Sequence, residues 1–265
     1  MAVCGIVCGE SELAGAQDFG AIMLIINADD WGRNTTVTDN SILCFRKGRI
    51  TSASSMVFMK DSARAAELAR EYGLETGLHL NFTLAFDGNV KSSKLVESHR
   101  RIASFLGRSK YCSLFYNPLL RKDFDYVYKA EYEEYVRLYR REPTHFDGHH
   151  HMHLCTNMLV NKVIPRGSKV RRGFTFLSSE RNVLNRNYRR IVDVILEQRY
   201  TCTDVFFSVT PPQNTERLRR IINLAKSKNV ELMVHPERIE DFNCLMSDEF
   251  VQMIAEIKSD SYAFL

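Results

Sequence analysis

The sequence predicts an α/β protein built as an irregular TIM-like (β/α) barrel in a single domain. Three observations point there. Apolar, strand-like runs alternate with amphipathic, helix-like runs along most of the chain, as a parallel sheet with helical crossovers requires. Six or seven such units suit a barrel, with a doubly wound open sheet as the competitor. Asp and His residues also fall at or just beyond the ends of several strand-like runs, where a (β/α) barrel gathers its catalytic groups.

Each element follows from its own residues. Residues 23–27 (MLIIN) read as a buried strand by their Ile and Leu content. Residues 35–47 read as a helix that Gly48 stops. A second strand spans 50–58, a second helix 61–72 ends at Gly73, and 77–81 (GLHLN) forms the third strand. The stretch 84–122 is too long for a plain connection, so it reads as a partly structured excursion over the barrel mouth, a lid. A charged amphipathic helix covers 124–141. Strands follow at 144–148, 170–174, 204–209 and 230–234, with helices at 187–199 and 215–228. A last helix spans 247–258, and 262–265 is a candidate eighth strand.

Composition narrows the function classes. A chain of 265 residues, 45% of them hydrophobic, can bury one sizeable core. The net charge of +4 is mild and its basic residues are dispersed, which argues against nucleic acid. No apolar run approaches the ~20 residues that span a bilayer, and residues 1–20 lack the basic start and long apolar core of a secretory signal. The seven cysteines include no Cys-x-x-Cys pair and suit free thiols in a reducing, cytoplasmic setting. Cys4 and Cys8 lack His or Cys partners nearby in sequence, and the Asn-x-Thr sequons at Asn34 and Asn81 read as chance matches. Residues 1–21 stand as an unassigned N-terminal extension, and 22–265 as the barrel.

Chemistry concentrates in a few places. Asp29 and Asp30 follow the first strand, where a turning chain can bring both carboxylates to one cavity, although Asp and Gly are also turn formers. His79 sits among leucines, a setting that also suits a core histidine. Residues 144–153 (THFDGHHHMH) hold five of the eight histidines, a density that packing explains poorly because buried imidazoles need partners. Imidazole with carboxylate suits Zn²⁺, Mn²⁺ or Fe²⁺, and a carboxylate-richer site suits Mg²⁺. The pair His151 and His153 resembles the His-x-His of other barrel hydrolases, which favours a phosphoesterase or amidohydrolase as the alternative enzyme. His235 ends the last confident strand before Pro236, and Arg171 and Arg172 end another.

Together these motifs resemble the YdjC-like family of carbohydrate deacetylases. The matching segments are 27–32 (NADDWG), 51–57 (TSASSMV), 77–83 (GLHLNFT), 144–153 (THFDGHHHMH) and 231–236 (ELMVHP), in order over most of the chain. The resemblance implies a metal-dependent hydrolase that removes N-acetyl groups from acetylated sugars. It implies Asp29 as catalytic base, Asp30, His79 and His149 as ligands of one divalent metal ion, Mg²⁺ or Zn²⁺, and His235 as general acid. Arg171, with Arg172 as the alternative, matches an Arg that steadies the base, and Asp147 would orient a histidine. The implied partner is an acetylated mono- or oligosaccharide, with no nucleic acid and no membrane; a homodimer is left open. A metal-stabilised sugar-binding protein is the non-enzymatic alternative. Two positions depart from the family pattern: Trp31 stands where Phe is usual, and Glu237 where Gly is common.

Overall fold

The computed structural model describes residues 22–177, 183–211 and 213–265; the unassigned extension 1–21 lies outside the described residues. Six strands carry the architecture: β1 Leu24–Trp31, β2 Ser52–Ser55, β3 Thr76–Leu80, β4 Phe146–Gly148, β5 Val205–Ser208 and β6 Val230–Val234. All pair in parallel, in the order β4-β3-β2-β1-β6-β5. Helices α1 Thr35–Arg46 and α2 Ser62–Tyr72 make the first crossovers, as expected. The Asn34 side chain caps α1 by accepting from Val37 N at 3.1 Å, and left-handed Gly73 ends α2. Next come α3 Ser93–Leu106, α4 Arg121–Tyr139, α5 Thr156–Asn161, α6 Val183–Glu197, α7 Thr215–Leu224, α8 Ile239–Met246 and α9 Asp248–Ile254. The sequence reading did not find α5 or α8.

The sheet curls into a half-barrel and does not close as a TIM barrel, which corrects the expected architecture. The expected strand 170–174 is the gap. It makes a single bridge, Phe146 with Val170, and then leaves the ladder. The reason is local. The Gly173 N–H, which a ladder would use, goes to the Asp193 carboxylate at 3.0 Å, and Arg172 is drawn to the same group at 2.9 Å. The segment still spans the opening, because Arg171 N donates to Phe146 O and Thr175 N to Phe206 O. The candidate eighth strand is a 3₁₀ turn, Tyr262–Phe264, whose Ser261 side chain accepts from Ala263 N, a local bond that favours turning over pairing. The first strand also runs past residue 27, through Asp29 and Asp30 to Trp31.

Strand alternation explains where the site is. Leu24, Ile26 and Ala28, with Leu78, Leu80, Leu232 and Val234, belong to the main core beneath the helices. The opposite parity faces the concave side of the sheet. There Met23, just before β1, is followed by Ile25, Asn27 and Asp29 of the strand, so the lining changes from apolar to polar along it. Met23 and Ile25 pack with Tyr262 in a small separate cluster that plugs one end. Asn27 Nδ2 donates to Ser54 Oγ (2.7 Å), which donates to Asp147 Oδ2 (2.8 Å), so three strands meet through polar side chains. Gly77 is required on β3, since a Cβ there would lie 2.4 Å from the His145 ring.

The excursion is more ordered than expected. α3 packs on α4, and Ser113 O accepts from Thr156 Oγ1 at 3.2 Å. Ser113 and Leu114 line a cavity of about 240 Å³ with His150, His151 and Phe174. Among the described residues, no helix is long and apolar enough to cross a membrane.

Candidate active site

Asp29 and Asp30 would point to opposite faces in a regular strand. Here the register shifts between Ala28 and Trp31, and Asp30 takes a left-handed φ of 63°. A non-glycine residue in that region carries strain of order 1 kcal/mol or more. The twist turns both carboxylates into one cavity of about 290 Å³, which His79, His149 and His235 also line.

Three of these groups converge. Asp30 Oδ1 lies 2.8 Å from His149 Nδ1 and 3.3 Å from His79 Nε2. His149 reaches this point because the chain turns sharply after β4, with His150 and His151 both left-handed (φ 53° and 59°). His79 Nδ1 faces Asp147 Oδ1 at 2.8 Å. With that carboxylate accepting from Nδ1–H, Nε2 is the ring nitrogen left to face Asp30. Burial works to raise the Asp30 carboxyl, but hydrogen bonds and charge from His149 and His79 hold it well below the usual carboxylate range. Burial likewise opposes charge on His79, yet Asp147 and Asp30 lift it well above the usual imidazole value.

Asp29 is held from behind. Arg171, fully buried, grips it with both terminal nitrogens at 2.7 Å. Its Nη1 also lies 2.6 Å from Asp147 Oδ2, and its Nε donates to Glu231 Oε1 at 2.7 Å. The Phe206 ring lies under the guanidinium at 4.8 Å, and His153 Nε2 bonds the Arg171 carbonyl at 3.0 Å. Against burial, the carboxylates of Asp147, Asp29 and Glu231 raise Arg171 well above its usual value. Arg172 points elsewhere, to Asp193 and Thr203 O, so Arg171 is the one that faces the site.

At the rim, His235 donates its backbone N–H to Asp241 Oδ2 at 3.0 Å, and its Nδ1 has no partner among the described residues. Arg33 Nη1 donates to Asp30 Oδ2 at 2.5 Å, and its Nη2 reaches Glu237 Oε1 at 3.5 Å. The His-x-His pair takes no part in the convergence. His151 packs edge-on against Phe174, and His153 is spent on Arg171. Burial, then the Arg171 charge, push His151 well below its usual value; burial takes His153 down to about 4.

The structure thus gathers Asp29, Asp30, His79, His149 and His235 in one cavity, with Arg171 and Asp147 immediately behind them. Sequence reasoning missed Arg33, Asn27, Ser54, Glu231 and Tyr262. A signal existed for Glu231: a charge inside an apolar strand, in step with Met233 and His235.

A family model described as YdjC-like protein matches residues 23–256. The chain belongs to the YdjC-like family. Among similar proteins, a chitooligosaccharide deacetylase of Serratia marcescens is 31% identical over 133 residues, 50% of this chain and 51% of the relative. A carbohydrate deacetylase of Danio rerio is 28% identical over 144 residues, 52% and 44% of the two chains. The chain spans about half the length of the curated relatives it matches. A solved structure from Enterococcus faecalis, described as a candidate cellobiose-phosphate cleavage protein, superposes with a TM-score of 0.65. It covers 91% of this chain and 98% of its own at 19% identity, a likeness of fold.

Proposed function

We propose that this YdjC-like chain is a metal-dependent carbohydrate deacetylase, hydrolysing N-acetyl groups of sugars such as N-acetylglucosamine oligosaccharides to acetate and amino sugar. The observation that carries this reading is the convergence of Asp30, His79 and His149 beside the Arg171-clamped Asp29 and His235. The names of the relatives support the same substrate class.

The donor set fits a divalent ion. Ligand atoms about 2.0–2.2 Å from one cation stand roughly 3 Å apart, the separation seen between Asp30 Oδ1 and the two imidazole nitrogens. The charges agree. Asp29, Asp30, Asp147 and Glu231 bring four carboxyl groups into the buried site against the guanidiniums of Arg171 and Arg33. A divalent cation offsets that excess. We assign Asp30, His79 and His149 as its ligands, with Mg²⁺ or Zn²⁺ as the candidates. When bound, the ion would lower the pKa of water and polarise the acetamide carbonyl.

The chain's own groups divide the proton work. Asp29, with Arg171 and Asn27 fixing its oxygens, accepts the proton of the attacking water. His235, just past the C-terminal end of the neighbouring strand β6, delivers a proton to the leaving amine. A cytoplasmic setting belongs to the same reading, since Cys44, Cys112, Cys155, Cys202 and Cys244 are free thiols.

Acetate release from N-acetylglucosamine oligosaccharides, by chain reconstituted with Mg²⁺ or Zn²⁺, tests the proposal. Acetate with a matching free amine is the expected result. Phosphate release from sugar phosphates, or tight sugar binding with no turnover under full metal loading, would overturn it.

A further inference from the structure

Arg171 clamps Asp29 in a planar, two-bond geometry, and such a geometry depends on the tilt of the guanidinium. Two contacts to Asp29 fix one edge of that plane. The third point is Nε, and Nε is held by Glu231. Glu231 has a second oxygen, which accepts from the Tyr262 hydroxyl. We propose that Glu231 and Tyr262 are positioning residues that hold Arg171 square on Asp29, with the 3₁₀ turn of Tyr262 as the anchor at the plugged end of the sheet's concave side. The role of Asp29 rests on the deacetylase reading; the alignment of Arg171 does not.

The anchor is built from several directions. Lys169 Nζ donates to the carbonyls of Tyr262 and Ala263, both at 2.7 Å, which fixes the turn. The Tyr262 ring stacks on His145 at 3.9 Å and 16°, and packs with Met23 and Ile25. His145 Nε2 meets Ser54 Oγ at 3.0 Å, Ser54 donates to Asp147 at 2.8 Å, and Asp147 returns to Arg171 at 2.6 Å. The contacts therefore close a ring that begins and ends at one guanidinium. Glu231, Arg171, Asp147 and His145 are all wholly buried in it. Burial pushes the Glu231 carboxyl up to about 7, against the pull of the Arg171 charge and the Tyr262 hydroxyl. Taking the hydroxyl away leaves a buried carboxylate oxygen unpaired, a costly state that Glu231 relieves by shifting or by taking a proton. Either response loosens Nε.

The experiment compares Tyr262→Phe, Glu231→Gln and the double variant, each loaded with metal and assayed on N-acetylglucosamine oligosaccharides. Each single change should lower kcat by about 10–100-fold, the range typical of partners behind a reacting group. KM and bound metal should stay within about twofold of wild type, since neither residue lines the cavity or supplies a ligand. The double variant should resemble the worse single, because both act through Arg171. The Arg171 Nε–H resonance, assigned by its loss in Arg171→Lys, should move and exchange faster with solvent in both variants. A merely structural role would lower the melting temperature yet leave kcat and that resonance unchanged well below the transition, which overturns the proposal. So would kcat losses that multiply. If wild type releases no acetate, the deacetylase reading falls, and the Nε–H resonance alone still decides the relay.

Discussion

At the scale of single residues, the site makes separate demands of ligands and of proton carriers. Asp29→Asn should keep the bound metal, because Asp30, His79 and His149 remain, and should lose turnover by about 10²–10⁴-fold. His235→Ala should do the same. Metal content near wild type with collapsed kcat is the expected pair of measurements; metal lost from Asp29→Asn would exchange the roles of the two aspartates. A residue away from the site adds to acid lability. Burial takes His99 down to about 4, opposed by a hydrogen bond with the Asn81 backbone, and its ring packs on Phe86. Above the ordinary value of 6.5 the ring is neutral whether the chain is folded or not. As pH falls below that value the unfolded chain takes the proton and the folded one does not. Stability is therefore lost between about 6.5 and 4, by about 3 kcal/mol in all. His99→Phe should lessen the stability lost over that window; parallel curves for variant and wild type would remove His99 as a contributor. The site residues were legible because five motifs occur in order along the chain, although each alone reads as a turn, a core histidine or a strand end. The residues behind them were not. Ser54 and Glu231 lie within strands, and their partners are far away in sequence.

At the scale of elements, the sequence showed the six strands that pair and misjudged two segments. Residues 170–174 have strand composition, but Asp193 takes the Gly173 N–H, a competitor about twenty residues away that no periodicity reveals. Residues 262–265 turn because Ser261 caps them. The concave side was harder still to read, since its polar residues interrupt the apolar runs by which strands are recognised. Gly77 shows how tightly that side is filled. Gly77→Ala should cost about 1–3 kcal/mol, as overpacking does, and should be measured by urea unfolding; an unchanged midpoint would mean that the His145 ring moves freely. The excursion makes its own prediction. We propose that the Ser113–Leu114 tip closes over the sugar pocket, because it lines the cavity that adjoins the site through His150 and His151. Leu114→Trp should fill that space and raise KM by about tenfold, roughly 1.4 kcal/mol of binding, with metal content unchanged. An unaltered KM would remove the tip from substrate binding.

At the scale of the whole molecule, the buried negative charge ties stability to the proposed ion. Metal at about a hundred times its dissociation constant should stabilise the fold by about 2.7 kcal/mol. That is a rise of about 5–10 °C in melting temperature for a domain of this size. A chelator should reverse the rise, and Asp30→Asn should abolish both changes; a melting temperature indifferent to metal in the wild-type chain would speak against the site. The sheet order has a further consequence, for how the chain is made. β1 lies between β2 and β6, yet the two neighbours arrive at very different times. β2 follows within a few dozen residues, whereas the contact of Met23 with Asn229 at the edge of β6 spans 206 positions. A chain leaving the ribosome can assemble β1 to β4 with their helices, since domains form as they are synthesised. Through that interval β1 presents a bare hydrogen-bonding edge of Leu and Ile, the kind that invites pairing with other chains. The nascent protein is therefore most exposed to aggregation between the emergence of β4 and that of β6, and chaperone capture should peak on translation intermediates of that length.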